Sequence, residues 1–150
     1  MGTEDAAGLL CRTWISVLNT DAAIAALGIV FEDSPDITIA DLEDLTEIRG
    51  YVALGNENEH GDGVLLETQL ITTIVAGGLE AKAALDLVYS ARAAVLHAFR
   101  SPARNGFGGV AGRCRFVGST YGADGHGARI YAARHLIFGI QLVNPIDPTE

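Results

Sequence analysis

Glu57, Glu59, His60 and Asp62 crowd into one six-residue window, and carboxylate oxygens beside an imidazole are a donor set that gathers a divalent cation. Used that way, they define a small metal-binding enzyme domain. The spacing fits no EF-hand loop, however, and acidic residues alternating with Asn58 and Gly61 are ordinary hairpin chemistry. A solvated loop is the favoured reading. The run Gly106-Phe107-Gly108-Gly109-Val110-Ala111-Gly112 has the glycine content of a phosphate cradle. Such cradles follow a strand and open a helix, so that backbone N–H groups converge on the anion. This run follows a helix and opens a strand, with no Lys-Ser or Lys-Thr to close it, so a flexible connector is expected. Cys11 and Cys114 could act as nucleophiles beside one of His60, His97, His126 or His135, but neither carries a local activating motif. Both read as buried, inert thiols, and His97 and His135 as structural. No catalytic residue, no metal and no cofactor is expected.

The arginines leave a more even choice. Arg113 and Arg115 share one face of a strand, and Arg129 begins its neighbour. Guanidinium groups set this way either cover a solvated sheet face or pair with carboxylates, for which Glu57, Glu59 and Asp62 are candidate partners across a subunit interface. The charge distribution bears on that choice. Residues 1–80 hold 15 acidic and 2 basic side chains; residues 81–150 hold 4 acidic and 8 basic. An acidic half and a basic half suit subunits that join head to tail. The net charge of −9 argues against a nonspecific grip on nucleic acid, though not against a wall past which DNA slides.

These groups need elements to hold them. Thr3 caps a first helix whose apolar face is Leu10, Trp14 and Val17-Leu18. Asp21 caps a second, short piece over Ala22–Leu27, ended by Gly28. Ile29-Val30-Phe31 is a short strand. Seven carboxylates between Glu32 and Glu47, with no basic residue among them, mark a surface excursion. Arg49–Gly55 is a strand, Asn56–Gly63 a polar hairpin loop, and Val64–Ala76 a strand. On that last strand Glu67 and Gln69 mark the wetter face. Leu79–Arg100 is a long helix, stopped by Ser101-Pro102. Its stripe of Ala84-Leu85, Val88, Ala91, Val95 and Ala98-Phe99 is widened by Leu87, Ala94 and Leu96, so more than one side must be covered. Gly112–Thr120 and Ala128–Val143 are two strands around a turn at Gly122–Gly127.

The expected fold is therefore α+β. One domain carries an antiparallel or mixed sheet packed on a long helix and an N-terminal helix. Two cysteines are too few for a disulfide framework. The acidic start lacks the basic, then apolar, pattern of a secretory signal, and no apolar run is long enough to span a bilayer. A soluble intracellular protein is the expectation.

The order of elements resembles the tail terminator (tail completion) proteins of long-tailed bacteriophages and gene transfer agents. The segments that carry the resemblance are Ile29–Asp33, Gly50–Gly55, Val64–Ala76, Leu79–Arg100 and Asp124–Val143. It implies a structural virion protein without enzymatic activity. Such a subunit joins a homo-oligomeric ring, usually a hexamer, that caps the head-proximal end of the tail tube and meets the neck. Its partners would be the tail tube protein and a neck or connector protein, with DNA passing through the lumen. The same resemblance admits a neck or head-completion protein docked on the portal. The implied location is the virion, and the host cytoplasm during assembly.

Overall fold

A computed structural model of the chain describes residues 6–33, 48–60, 65–77, 81–109, 111–126 and 129–142. It is an α+β fold. Helices α1 (Ala6–Thr20) and α2 (Ala22–Ala26) lead to strands β1 (Phe31–Asp33), β2 (Ile48–His60) and β3 (Leu65–Gly77). Helix α3 (Ala81–Arg104), a turn at Gly106–Gly109, and strands β4 (Ala111–His126) and β5 (Arg129–Leu142) complete it. The sheet order is β1-β2-β3-β5-β4. Only β1 runs parallel to its neighbour, so the sheet is mixed.

The helices lie on one face of the sheet. Alternation along β3 aims Thr68, Leu70, Thr72 and Ile74 at them, and β5 adds Leu136, Phe138, Ile140 and Leu142, all fully buried. From α3 come Ala84, Val88, Ala91, Val95, Ala98 and Phe99. Leu85, Leu87, Ala94 and Leu96 are half-buried against the same core, which accounts for the helix's excess of apolar surface. α1 covers its other side with Ala7, Leu10, Cys11, Trp14 and Leu18, spaced to share one stripe. Aromatic rings fill the centre. Phe99 stacks on Phe138 at 4.1 Å between centroids, and Trp14 meets both edge-on at 5.6 and 5.8 Å. The Trp14 Nε1–H donates to Thr72 Oγ1 at 2.8 Å, so the one buried indole N–H is satisfied inside the core.

Several sequence expectations hold. Asp21 caps α2 by accepting from the Ile24 N–H at 3.1 Å, and Gly28 follows in the left-handed region. Glu67 and Gln69 are only half-buried on the face away from the helices. Thr73 and Val75 on that same face are nonetheless buried.

Four boundaries differ. Ser101-Pro102 does not stop α3, which continues to Arg104. Proline forfeits one backbone hydrogen bond, and near a helix end that loss is tolerable; the Asn105 N–H still reaches the Ser101 carbonyl. The expected hairpin loop Asn56–Gly63 is strand as far as His60, because a bulge after Leu54 re-phases the ladder and lets polar residues go on pairing. The β4–β5 turn falls after His126, not at Gly122–Gly127, and bulges at 112–113 and at Val117 carry the long strand. The short strand starts at Phe31 and takes in Glu32 and Asp33. Thr3 and most of the acidic stretch (34–47) lie outside the described residues.

The connector after α3 is built for a purpose the glycine count concealed. Gly106, Gly108 and Gly109 all have positive φ, and so does Phe107 at 50°. A bulky side chain pays strain there. The turn drives the Phe107 ring into the core, against Trp14 at 6.1 Å and Phe99 at 5.9 Å. Aromatic burial offsets the backbone strain.

One edge of the sheet is closed by a side chain. The Asn19 carboxamide accepts from the Phe31 N–H at 2.8 Å and donates to the Phe31 carbonyl at 2.9 Å, imitating a further strand. Asn19→Leu is therefore expected to cost about 1–2 kcal/mol through two lost hydrogen bonds, and to increase self-association through the uncovered edge. Urea denaturation and light scattering would check it; an unchanged midpoint would mean the contact is incidental.

Candidate interaction surface

Strand β2 takes in most of the window read as a possible metal site. Glu57 lies in β2 opposite Thr68, and Glu59 opposite Leu66, while His60 pairs with Leu65. Asp62 lies outside the described residues. Among the described residues, no three His, Cys, Asp or Glu side chains are grouped to hold a metal ion. Among them too, no helix is long and apolar enough to cross a membrane.

The thiols are placed for inertness. Cys11 is buried in α1 with its Sγ 4.0 Å from Asp33 Oδ1, and burial, then the Asp33 charge, pushes its pKa up to about 11. Cys114 sits opposite Ile140 on the helix-facing side of β4, and burial pushes it up to about 11 as well. Because the thiolate is the nucleophile, alkylation by iodoacetamide at pH 8 is expected to be slow in the native protein and fast in urea. The folded state holds these protons more tightly than the unfolded chain, whose thiols titrate near 9.0. Stability is thus expected to fall as pH rises from about 9 to about 11, and to be independent of both thiols below that window. Equal alkylation rates in the native and unfolded states would contradict the placement. His135 is half-buried, its Nδ1 2.8 Å from Thr73 Oγ1, and burial lowers its pKa.

Arg113 and Arg115 do share an exposed face, the one away from the helices. The carboxylate nearest Arg115 belongs to its own chain: its Nη2 lies 3.4 Å from Glu67 Oε1. Both side chains are substantially exposed (61% and 39%), so solvent screens the pair and it contributes about 0–1 kcal/mol. With Gly139 as floor and Gln141 beside it, these residues line a shallow groove of about 250 Å³. Val117 and Arg115 lean over Gly139, where a Cβ would press on Val117 at 3.1 Å. Arg129 begins β5 opposite His126, at the far end of the hairpin from Arg113 and Arg115.

The sequence reading passed over the rest of this surface. β4 is an edge strand among the described strands. Phe116 on its helix-facing side remains 38% exposed at the rim, touching Phe138 inward, with the Arg92 guanidinium 5.9 Å from its ring centroid. Val117 and, on α3, Tyr89 are also exposed. At the opposite edge, Gly28, Val30, Glu32, Ile48 and Arg49 line a recess of about 340 Å³. Val30 is 70% exposed there, and Glu32 and Asp33 stand in the open. Alternation with Cys114 puts Phe116 on the helix-facing side. Only the strand order, which the sequence does not display, makes it a rim residue.

A scan against protein-family models finds no matching family, and a search of curated proteins finds no matching sequence.

Proposed function

We propose that this chain is a structural protein of a long-tailed phage or gene transfer agent. In this reading it forms a ring that caps the head-proximal end of the tail tube and joins it to the neck. What supports the reading is the element order: an N-terminal helix, a short strand with an acidic exit, a hairpin, one long helix and a C-terminal hairpin. Two deactivated thiols and exposed patches at both sheet edges suit a protein that works by contact. The ring is homo-oligomeric, six copies by the resemblance, and touches the tube protein on one side and a connector protein on the other. DNA passes through without specific binding.

The test is to incubate purified protein with tail tubes and image them. Density at one tube end and arrested tube growth are expected. Absence of tube binding, with the protein labelled instead at the portal of intact particles, would move it to the neck. Absence from particles altogether would overturn the virion reading.

A further inference from the structure

We propose that the β4 groove of one copy seats against the β1 recess of a second copy, a head-to-tail contact that supplies the subunit interface of the ring. The inference rests on the ring-forming function above and names its surfaces. The groove lies across β3, β5 and β4, the recess across β1 and β2, and Arg49 pairs with Val75, eight residues along β3 from Glu67, so one chain cannot join the two patches to each other. A second copy can.

Charge and shape select that occupant. The groove presents a cation beside an anion, Arg115 with Glu67, backed by Arg113. The recess presents an anion beside a cation, Glu32 with Arg49. Set face to face, Arg115 meets Glu32 and Glu67 meets Arg49. The groove carries two arginines and one carboxylate, so a groove meeting another groove brings together two patches of net positive charge, which disfavours that symmetric pair. Each patch also offers exposed apolar surface, Val117 on one and Val30 on the other. The loose Arg115–Glu67 pair costs little to reorganise.

Asn19 gives the contact its limit. It occupies the Phe31 backbone N–H and carbonyl, so β4 of a neighbour cannot continue the ladder there. Side chains make the contact, and the sheet is kept from growing edge to edge as a fibre. A contact between two different patches of identical copies closes into a ring when its rotation permits.

The experiment uses two full-length variants. One breaks the groove side (Arg113→Glu, Arg115→Glu, Val117→Asp) and the other breaks the recess side (Val30→Asp, Glu32→Lys). Size-exclusion with light scattering is expected to show a wild-type oligomer that high salt weakens, and a monomer for each variant alone. An equimolar mixture is expected to give a strict 1:1 dimer, because it retains one intact groove and one intact recess. Dimer formation also certifies that both variants fold. Wild-type mass in either variant, or a mixture that stays monomeric, would overturn the contact. An intact complementing pair in a protein that ignores tail tubes would leave the contact standing and remove the terminator role. Tube capping by variants that still assemble would do the reverse.

Discussion

Replacing Trp14 by alanine is expected to destabilise the protein by about 3–5 kcal/mol, a large share of the roughly 5–15 kcal/mol that holds a single domain together. The indole is fully buried and sits edge-on to Phe99, Phe107 and Phe138 at once. It is the piece of α1 that reaches both α3 and β5. Removal leaves a cavity that the rigid rings around it cannot collapse into, and strands Thr72 Oγ1 without its donor. Trp14→Phe separates the two terms, since it keeps an aromatic ring but loses the N–H. It is expected to cost about 1–3 kcal/mol, and adding Thr72→Val should recover part of that by removing the orphaned hydroxyl. Urea denaturation followed by circular dichroism is the measurement, because the substitution removes the only tryptophan and its fluorescence. A loss below about 1 kcal/mol for Trp14→Ala would mean that the aromatic cluster does not hold the layers together.

Trp14 also shows what was legible beforehand and what was not. Its place on a helical stripe with Leu10 and Leu18 is written in the spacing. Its hydrogen bond to Thr72, 58 residues away, is not, because no local pattern encodes which threonine of a strand lies under which helix residue. The same division runs through the surface. That Arg113 and Arg115 share a face follows from period-two alternation. That Arg115 meets Glu67, two strands away, depends on β5 inserting between β3 and β4. Bulges account for most boundary differences. Adding one residue to β2 after Leu54, or to β4 at Val117, changes neither composition nor hydropathy, yet it turns a polar loop into paired strand. Phe107 was hidden by its neighbours: among so many glycines it read as connector, though the glycines exist to swing that ring inward.

Gly50→Ala is the second substitution expected to have a large effect, and it links stability to assembly. Gly50 lies in β2 opposite Phe31, and a Cβ built there falls within the Phe31 ring. A glycine inside a strand weakens it unless something must come close, and here that something is an aromatic ring that is itself buried. The added methyl group must push Phe31 out of the core or push β1 off the sheet. The first loses buried aromatic surface. The second breaks the Asn19 bonds to the Phe31 backbone as well. Overpacking of this kind is expected to cost about 1–3 kcal/mol. Phe31→Leu should destabilise the wild-type background by opening space and stabilise the Gly50→Ala background by yielding it. The double-mutant cycle is expected to show a coupling of about 1 kcal/mol or more, with opposite signs of the Phe31 effect in the two backgrounds. Additive effects in urea denaturation would mean that the ring does not rest on Gly50. Because Glu32 and Asp33 follow Phe31 on the same short strand, a displaced β1 also moves one wall of the recess. Gly50→Ala is thus expected to weaken self-association while leaving the groove side competent. When it is mixed with the groove-broken variant, a 1:1 dimer should still form through its intact groove, whereas with the recess-broken variant no dimer is expected, because neither partner then has an intact recess. A full-strength dimer in the second mixture would show that the recess of Gly50→Ala survives and that β1 does not form its wall.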